Sequence, residues 1–254
     1  MVGGRPRSIR GWPIAAALFL YALGAAATGL QVTPTSLTVE ANRSAAGLWL
    51  SNTGEGPLHA QVRAYHWSQA QGQDELVPSP TLIVSPPLVE LQAGARQFVR
   101  VIRSGGAPAD REDAFRIVID ELPIDEPAAP MPGREESAIR FVLRYSVPVF
   151  LAPAGRAAQA ELEGEVDGSV SPPRLIVRNQ GGMHAQLGNL LLVDASGQRR
   201  ELSAGLVGYV LAGQTMHWNL PVDKAALAAG GELQSRINGE PRERKVASLG
   251  TGRP

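Results

Sequence analysis

The chain has 254 residues, with 24 basic and 24 acidic side chains, no cysteine and only 5% aromatics. Zero formal charge gives no support to nucleic-acid binding as a main task, and the lack of cysteine excludes a disulfide framework. The length allows one large or two ordinary domains.

The N-terminus reads as a leader rather than as fold. Arg5, Arg7 and Arg10 form a basic region, an apolar run extends from Trp12 to about Gly24, and Ala25-Ala26-Ala27 is a small-residue cleavage site. The apolar run is about a dozen residues, short of the roughly 20 that a spanning helix needs. Residues 1–27 are therefore expected to be removed as a signal peptide, leaving an exported chain with 21 basic and 24 acidic residues. No other apolar run approaches membrane length, so no stable membrane insertion is expected.

Residues 29–40 alternate after Pro34 and predict a first strand, and 46–52 a second, closed by the turn signal Asn52-Thr53-Gly54-Glu55-Gly56-Pro57. Residues 58–67 alternate through Ala60, Val62 and Ala64; polar residues 68–75 predict a hairpin loop. Residues 82–91 contain Pro86-Pro87, which interrupts any ladder, and 96–103 form a clear strand. After a loop at 104–113, residues 114–123 predict a strand with Phe115, Ile117 and Ile119 on one face and Arg116 with Val118 on the other. Residues 125–136 are rich in Pro, Gly and acid and read as a mobile loop.

Residues 137–153 then carry apolar side chains at Ile139, Phe141, Leu143, Tyr145, Val147 and Val149, separated by Arg140, Val142, Arg144, Ser146 and Pro148. The period of two predicts one long strand with an apolar face, longer than the usual five or six residues. Such a strand is either a core strand of a sandwich or one that offers its apolar row to another protein.

Beyond a hinge at 152–155, strands are predicted at 159–166, 174–179, 187–194, 206–211, 216–220 and 232–237, with a short helical turn at 224–229. Short alternating segments joined by turns, without a helical period, predict an all-β protein: a sandwich of about seven strands in residues 28–153 and a smaller β domain in 154–254.

Little in the sequence asks for catalysis. His59, His66, His184 and His217 show no H-x-x-x-H spacing and have no cysteine to join them, so no metal site is expected. Nucleophile-elbow, Walker and dinucleotide motifs are absent. The adjacent pairs Glu112/Asp113, Asp120/Glu121 and Glu135/Glu136 point apart on a strand and read as solvated surface. Neither enzyme activity nor a cofactor is expected. Arg116, set within the apolar FRIVI, is either an ordinary surface arginine or a holder of a carboxylate through forked, charge-assisted hydrogen bonds.

The order SNTGEGP, an alternating strand ending in Trp67, VSPPLVELQAGARQFVRVIR, DREDAFRIVIDELP and RFVLRYSVPVFLAP resembles the PapD-like periplasmic pilus chaperones across residues 30–153. FRIVIDELP and YSVPVF are more similar to the archaic branch, which serves spore-coat-U-like subunits. The second half matches in length, β content and the segment GYVLAG at 208–213. The resemblance implies two immunoglobulin-like domains in a boomerang arrangement, in a periplasmic protein of pilus (fimbrium) biogenesis. It also implies donor-strand complementation: a pilus subunit is an incomplete sandwich, and the last strand of the chaperone's first domain fills the gap. Carried over by position, Ile139, Phe141 and Leu143 align with the donor side chains, and Tyr145 and Val147 extend the row. Burying each contributes roughly 1.5–3 kcal/mol before ordering costs. An outer-membrane usher is the second partner implied.

Two departures from the better-known branch bear on the site. The positions of its carboxylate-anchoring Arg and Lys hold Ser36 and Pro148, which leaves Arg116, on the strand beside the donor, as the anchor candidate. The positions of its interdomain ion pair hold Ala152 and Gly239. The alternative to a chaperone is a structural immunoglobulin-like protein of the envelope or cell surface. An apolar row without a partner invites aggregation, so self-association or a folded-back cover is expected of the free chain.

Overall fold

The computed structural model describes residues 29–123, 142–155 and 159–249. The first half contributes β1 (Leu30–Thr33), β2 (Leu37–Val39), β3 (Ala45–Asn52), β4 (Leu58–Ala70), β5 (Gln73–Pro78), β6 (Leu82–Ser85), β7 (Leu88–Leu91), β8 (Arg96–Arg103), β9 (Asp113–Leu122) and β10 (Arg144–Leu151). The second half contributes β11 (Leu162–Asp167), β12 (Arg174–Asn179), β13 (Ala185–Asp194), β14 (Arg199–Val210), β15 (Thr215–Asn219), α1 (Lys224–Ala228), β16 (Gly231–Ile237) and β17 (Glu243–Leu249).

In the first half, a sheet ordered β1-β3-β8-β6 packs on a second ordered β2-β10-β9-β4-β5, with β7 paired to β4. Alternation dictates what lies between them. Leu48, Leu50, Val99 and Val101 from one sheet meet Ile117, Ile119, Val147 and Val149 from the other in one buried cluster. Two prolines mark where the chain changes sheets. The expected single strand over 29–40 is two, because the chain leaves one sheet after β1 and joins the other at β2, with Pro34 between them. Pro86-Pro87 separates β6 from β7 in the same manner, as anticipated.

The expected loop at 68–75 is a correction. β4 runs on to Ala70, and the turn is Gln71-Gly72 alone, with φ of 52° and 74°. Two successive left-handed residues suit the tight turn of a twisted hairpin, and glycine adopts that conformation without strain.

In the second half, one hydrogen-bonded path runs β14-β13-β16-β17-β11-β12-β15. It folds over on itself at β11 and β17, which share a single parallel pair, Gly164 with Ala247. Leu175 and Val177 of β12 therefore pack against Leu187, Leu192 and Leu233 of the opposite layer. β17 has no counterpart among the predicted strands, and β14 starts earlier than predicted. α1 falls at the predicted helical turn, capped by the Asp223 side chain accepting from Ala226 N.

Both halves use one device to close a strand end. Asn52 at the end of β3 donates to the carbonyls of Gly56 and Leu91 and accepts from Gly54 N. Asn179 at the end of β12 donates to the carbonyls of Met183 and Val210 and accepts from Glu161 N and Gly181 N. Both side chains are buried. An amide is the right shape for this, since it offers two donors and an acceptor to backbone groups that water cannot reach.

The start of β10 is pinned differently. Asp120 on β9 accepts from both Arg63 on β4 and Arg144 on β10. Partial burial opposes ionisation, yet the two arginine hydrogen bonds together hold its carboxyl below the usual aspartate range. The carboxylate expectation thus needs correcting at this position: Asp120 bridges three strands.

Two outcomes follow. Asn52→Ala and Asn179→Ala each leave buried backbone groups unpaired and lower stability by about 1–3 kcal/mol, measured by urea denaturation. Asp120→Asn lowers stability at neutral pH. Because the folded-state pKa lies below the unfolded one, this deficit is complete above about pH 4 and shrinks as pH falls below it, which a pH series of melting curves follows.

Candidate functional site

The sheet that contains β10 has an outer face turned away from the first core. Cross-strand register places Pro148, Arg116 and Tyr65 side by side, then Ser146, Val118 and Arg63 in the next row. At one end this face is covered by the second half of the chain. Trp67, Ala114 and Phe150 form a buried cluster with Tyr209 and Leu211. Trp67 meets Tyr209 edge-on at 5.4 Å between centroids.

Polar contacts close the same junction. Glu112 Oε1 accepts from His184 N at 3.2 Å and bonds His184 Nδ1 at 2.7 Å. The His184 ring stacks on Phe150 with centroids 3.6 Å apart. Glu112 is only 9% exposed, which corrects its expected place on the solvated surface. It precedes β9, so the parity argument for adjacent strand residues does not reach it. Gln69 reaches across from β4: its amide donates to the Tyr209 carbonyl and its oxygen accepts from Leu211 N, both at 2.9 Å. At the hairpin tip Gly72 bridges Met216, so close to the His217 ring that a Cβ would collide with it. These contacts connect the halves.

Arg116 lies where this junction meets the open part of the sheet. Its guanidinium carbon is 3.6 Å from the Trp67 ring centroid and 5.4 Å from that of Tyr209. Only 15% of its side chain is exposed. Burial lowers its pKa from the ordinary arginine value, with Asp74 and Tyr209 opposing the shift. Among the described residues, Asp74 is the carboxylate within ion-pair distance, at 3.9 Å. The arrangement is a partly desolvated cation on an aromatic platform, at the margin of the junction. Chemically it suits a carboxylate better than solvent.

The expected apolar row divides. Ile139 and Phe141 lie outside the described residues. Leu143 precedes β10 and is tied to β9, its carbonyl accepting from Glu121 N at 2.9 Å. Tyr145 packs at the margin of the first core, with its hydroxyl donating to the Leu30 carbonyl. Val147 is 3% exposed within that core. Its expected contact with a partner is therefore corrected: it faces the chain's own sandwich, as Val149 and Leu151 do.

The edge of β10 also divides. β9 pairs it over its whole length, from Arg144 to Leu151, whereas β2 covers only Val149 to Leu151. Among the described residues the opposite edge of Arg144–Pro148 has no strand partner. Pro148 tolerates this position because an edge strand can lack one backbone donor.

Trp67 and Tyr209 were absent from the sequence-derived site. One signal for Trp67 is present: Tyr65 and Trp67 fall on the alternate positions opposite to Ala60, Val62 and Ala64. Two large aromatics on a supposed solvent face mark a second covered surface.

Residues 29–157 match the model of the pili and flagellar-assembly chaperone family, PapD N-terminal domain. The fimbrial chaperone YcbF of Escherichia coli is 27% identical over 147 residues, a stretch spanning 56% of this chain and 58% of that protein. Among solved structures, the CsuC–CsuE complex of a chaperone with a tip adhesion subunit, from the archaic Csu pili of Acinetobacter baumannii, superposes with a TM-score of 0.66 at 23% identity. It covers 85% of this chain and 96% of that one. The complex of SafA pilin with the SafB chaperone of Salmonella enterica gives 0.58 at 19% identity, covering 86% and 96%. Two packed β units and the family match over half the chain lead to one conclusion: the chain belongs to the family of pili and flagellar-assembly chaperones.

Proposed function

We propose that this chain is a periplasmic assembly chaperone that captures pilus subunits by strand addition and delivers them to an outer-membrane usher. The observation that carries this reading is the open edge of Arg144–Pro148, adjoining the apolar row that ends in Leu143 and Tyr145. An unpaired edge beside apolar side chains is what strand addition requires: main-chain bonds supply affinity and alternate side chains fill the partner's gap. The family match, and the subunit complexes named for CsuC and SafB, support the same partner class. The FRIVIDELP and YSVPVF segments favour the archaic branch.

In this reading residues 1–27 are the exported chain's leader, 28–153 the subunit-binding domain and 154–254 the second wall of the cleft. Ile139, Phe141 and Leu143 fill the subunit's open core, Tyr145 and the edge of β10 continue the pairing, and Arg116 receives the subunit's terminal carboxylate. No catalytic step or cofactor is involved; the driving force resides in the subunit's incomplete packing.

The reading predicts a neighbouring gene for a small secreted β protein, and co-expression of that protein with this chain in a periplasm is expected to yield a soluble one-to-one complex. Soluble, monomeric accumulation of that protein alone would overturn the proposal. Phe141→Asp abolishes recovery of the complex, since a charge enters an apolar groove unpaired, while the free chain melts as before. Leu143→Asp has the same effect on capture and also weakens the chain's own sandwich, against which Leu143 packs. Arg116→Ala reduces affinity about tenfold or more, the usual scale for a charged hydrogen bond, as read by titration of the purified subunit. Arg116→Lys restores little, because an ammonium lacks the fork.

A further inference from the structure

Asp74 stands on β5, beside the cleft, and its contacts are unequal. Its Oδ1 accepts from the Gln69 amide at 3.0 Å, while its Oδ2 stays 3.9 Å from Arg116 Nη2. The second distance exceeds a hydrogen bond. The Asp74 side chain is 44% exposed, against 15% for Arg116. A buried cation thus faces a half-solvated anion across a gap, with Trp67 beneath the guanidinium and Tyr209 beside it.

We propose that Asp74 is an internal stand-in for the carboxylate that Arg116 binds, held loosely enough to be displaced by it. The inference rests on the reading of Arg116 as a carboxylate receptor and adds a competitor to that site. A desolvated arginine needs a counter-charge when the cleft is empty, and Asp74 provides one from the hairpin. Its hold is weak by geometry: one long ionic contact, where an incoming carboxylate forms two short, parallel bonds.

Displacement also leaves little behind unsatisfied. The Gln69 amide keeps its bond to the Tyr209 carbonyl and its oxygen keeps Leu211 N. Asp74 needs only to rotate toward the water that already wets it. Asp74 therefore sets a threshold: groups that bind Arg116 more weakly than a forked carboxylate do not dislodge it.

The test uses the full-length exported chain and two probes, N-acetylphenylalanine and its amide, with binding read from the Arg116 side-chain NMR signal and Trp67 fluorescence. The carboxylate probe is expected to bind and the amide not to. Asp74→Asn, which preserves the Gln69 bond, is expected to bind the carboxylate about three- to tenfold more tightly and, having lost the counter-charge, to melt lower than the parent chain when no carboxylate is bound. Arg116→Gln is expected to lose binding in either background. Equal or weaker carboxylate binding by Asp74→Asn overturns the stand-in while leaving Arg116 as a receptor. Absence of carboxylate binding by both the parent chain and Asp74→Asn overturns the receptor reading and the stand-in together.

Discussion

A buried carboxylate needs partners, and one oxygen of Glu112 finds them in the other half of the chain while its Oε2 stays buried without one. Its Oε1 takes both the backbone and the ring of His184, and that ring stacks on Phe150 of β10. The contact is small, and it lies in the same junction as the aromatic cluster and the Gln69 bridge. With His184 tied to the first sandwich, Tyr209 and Leu211 settle over Trp67 and exclude water from one end of the outer sheet face. Gln69 then satisfies the backbone of the second half through its side chain. Arg116 inherits its aromatic platform and its desolvation from this closure. Had the two sandwiches been joined only by the linker at residues 152–155, the same arginine would lie on an open sheet and prefer water.

β10 is where structural and functional demands on the sequence meet. From Val147 onward its inner side chains complete the chain's own core, and its outer Phe150 belongs to the junction between the halves. Before Val147 the same parity continues through Tyr145 and Leu143, but the domain provides progressively less cover and β2 no longer pairs the edge. One alternation in the sequence thus runs from the residues proposed to serve another protein into those that complete this one. The clamp of Asp120 by Arg63 and Arg144 falls at the changeover and holds the strand against β9. Affinity for a partner and stability of the sandwich are consequently coupled through neighbouring residues of one strand.

Much of this was legible in the sequence, and the omissions have physical reasons. Strong alternation located β8 and β9, including the faces of Phe115 and Arg116, because Val99, Val101, Phe115, Ile117 and Ile119 keep an unbroken period on the core side, even though Ala114 and Val118 on the other face of β9 are buried as well. The Pro pair at 86–87 separated β6 from β7. The hairpin at 68–75 was read with too long a loop because those residues carry almost no apolar signal; the stretch is held by strand pairing and by Gln69, whose partners lie 140 and 142 residues away. β17 escaped because Val246 and Ala247 are both buried beside a register shift, which breaks the period of two. The single expected first strand hid its crossing between sheets: the apolar parity shifts from Leu30 and Val32 to Leu37 and Val39 across Pro34, but each piece is too short for its period to show which sheet it joins. Of the site, Arg116 stood out as a charge among β-branched residues. Asp74 and His184 did not, since their roles depend on distance in space alone.

The tie between Tyr145 and Leu30 spans 115 residues, and β2 pairs in parallel with the end of β10. Contacts of such separation are costly to close and slow to form. As the chain emerges from its N-terminus, β1 through β9 must wait, with the groove for their last partner open, until residues near 150 arrive. The nascent first sandwich therefore passes through the same unfinished condition that the mature protein is proposed to relieve in its clients. Speed of emergence, and protection of that half-built intermediate from its neighbours, then govern how much chaperone a cell obtains from each chain it makes.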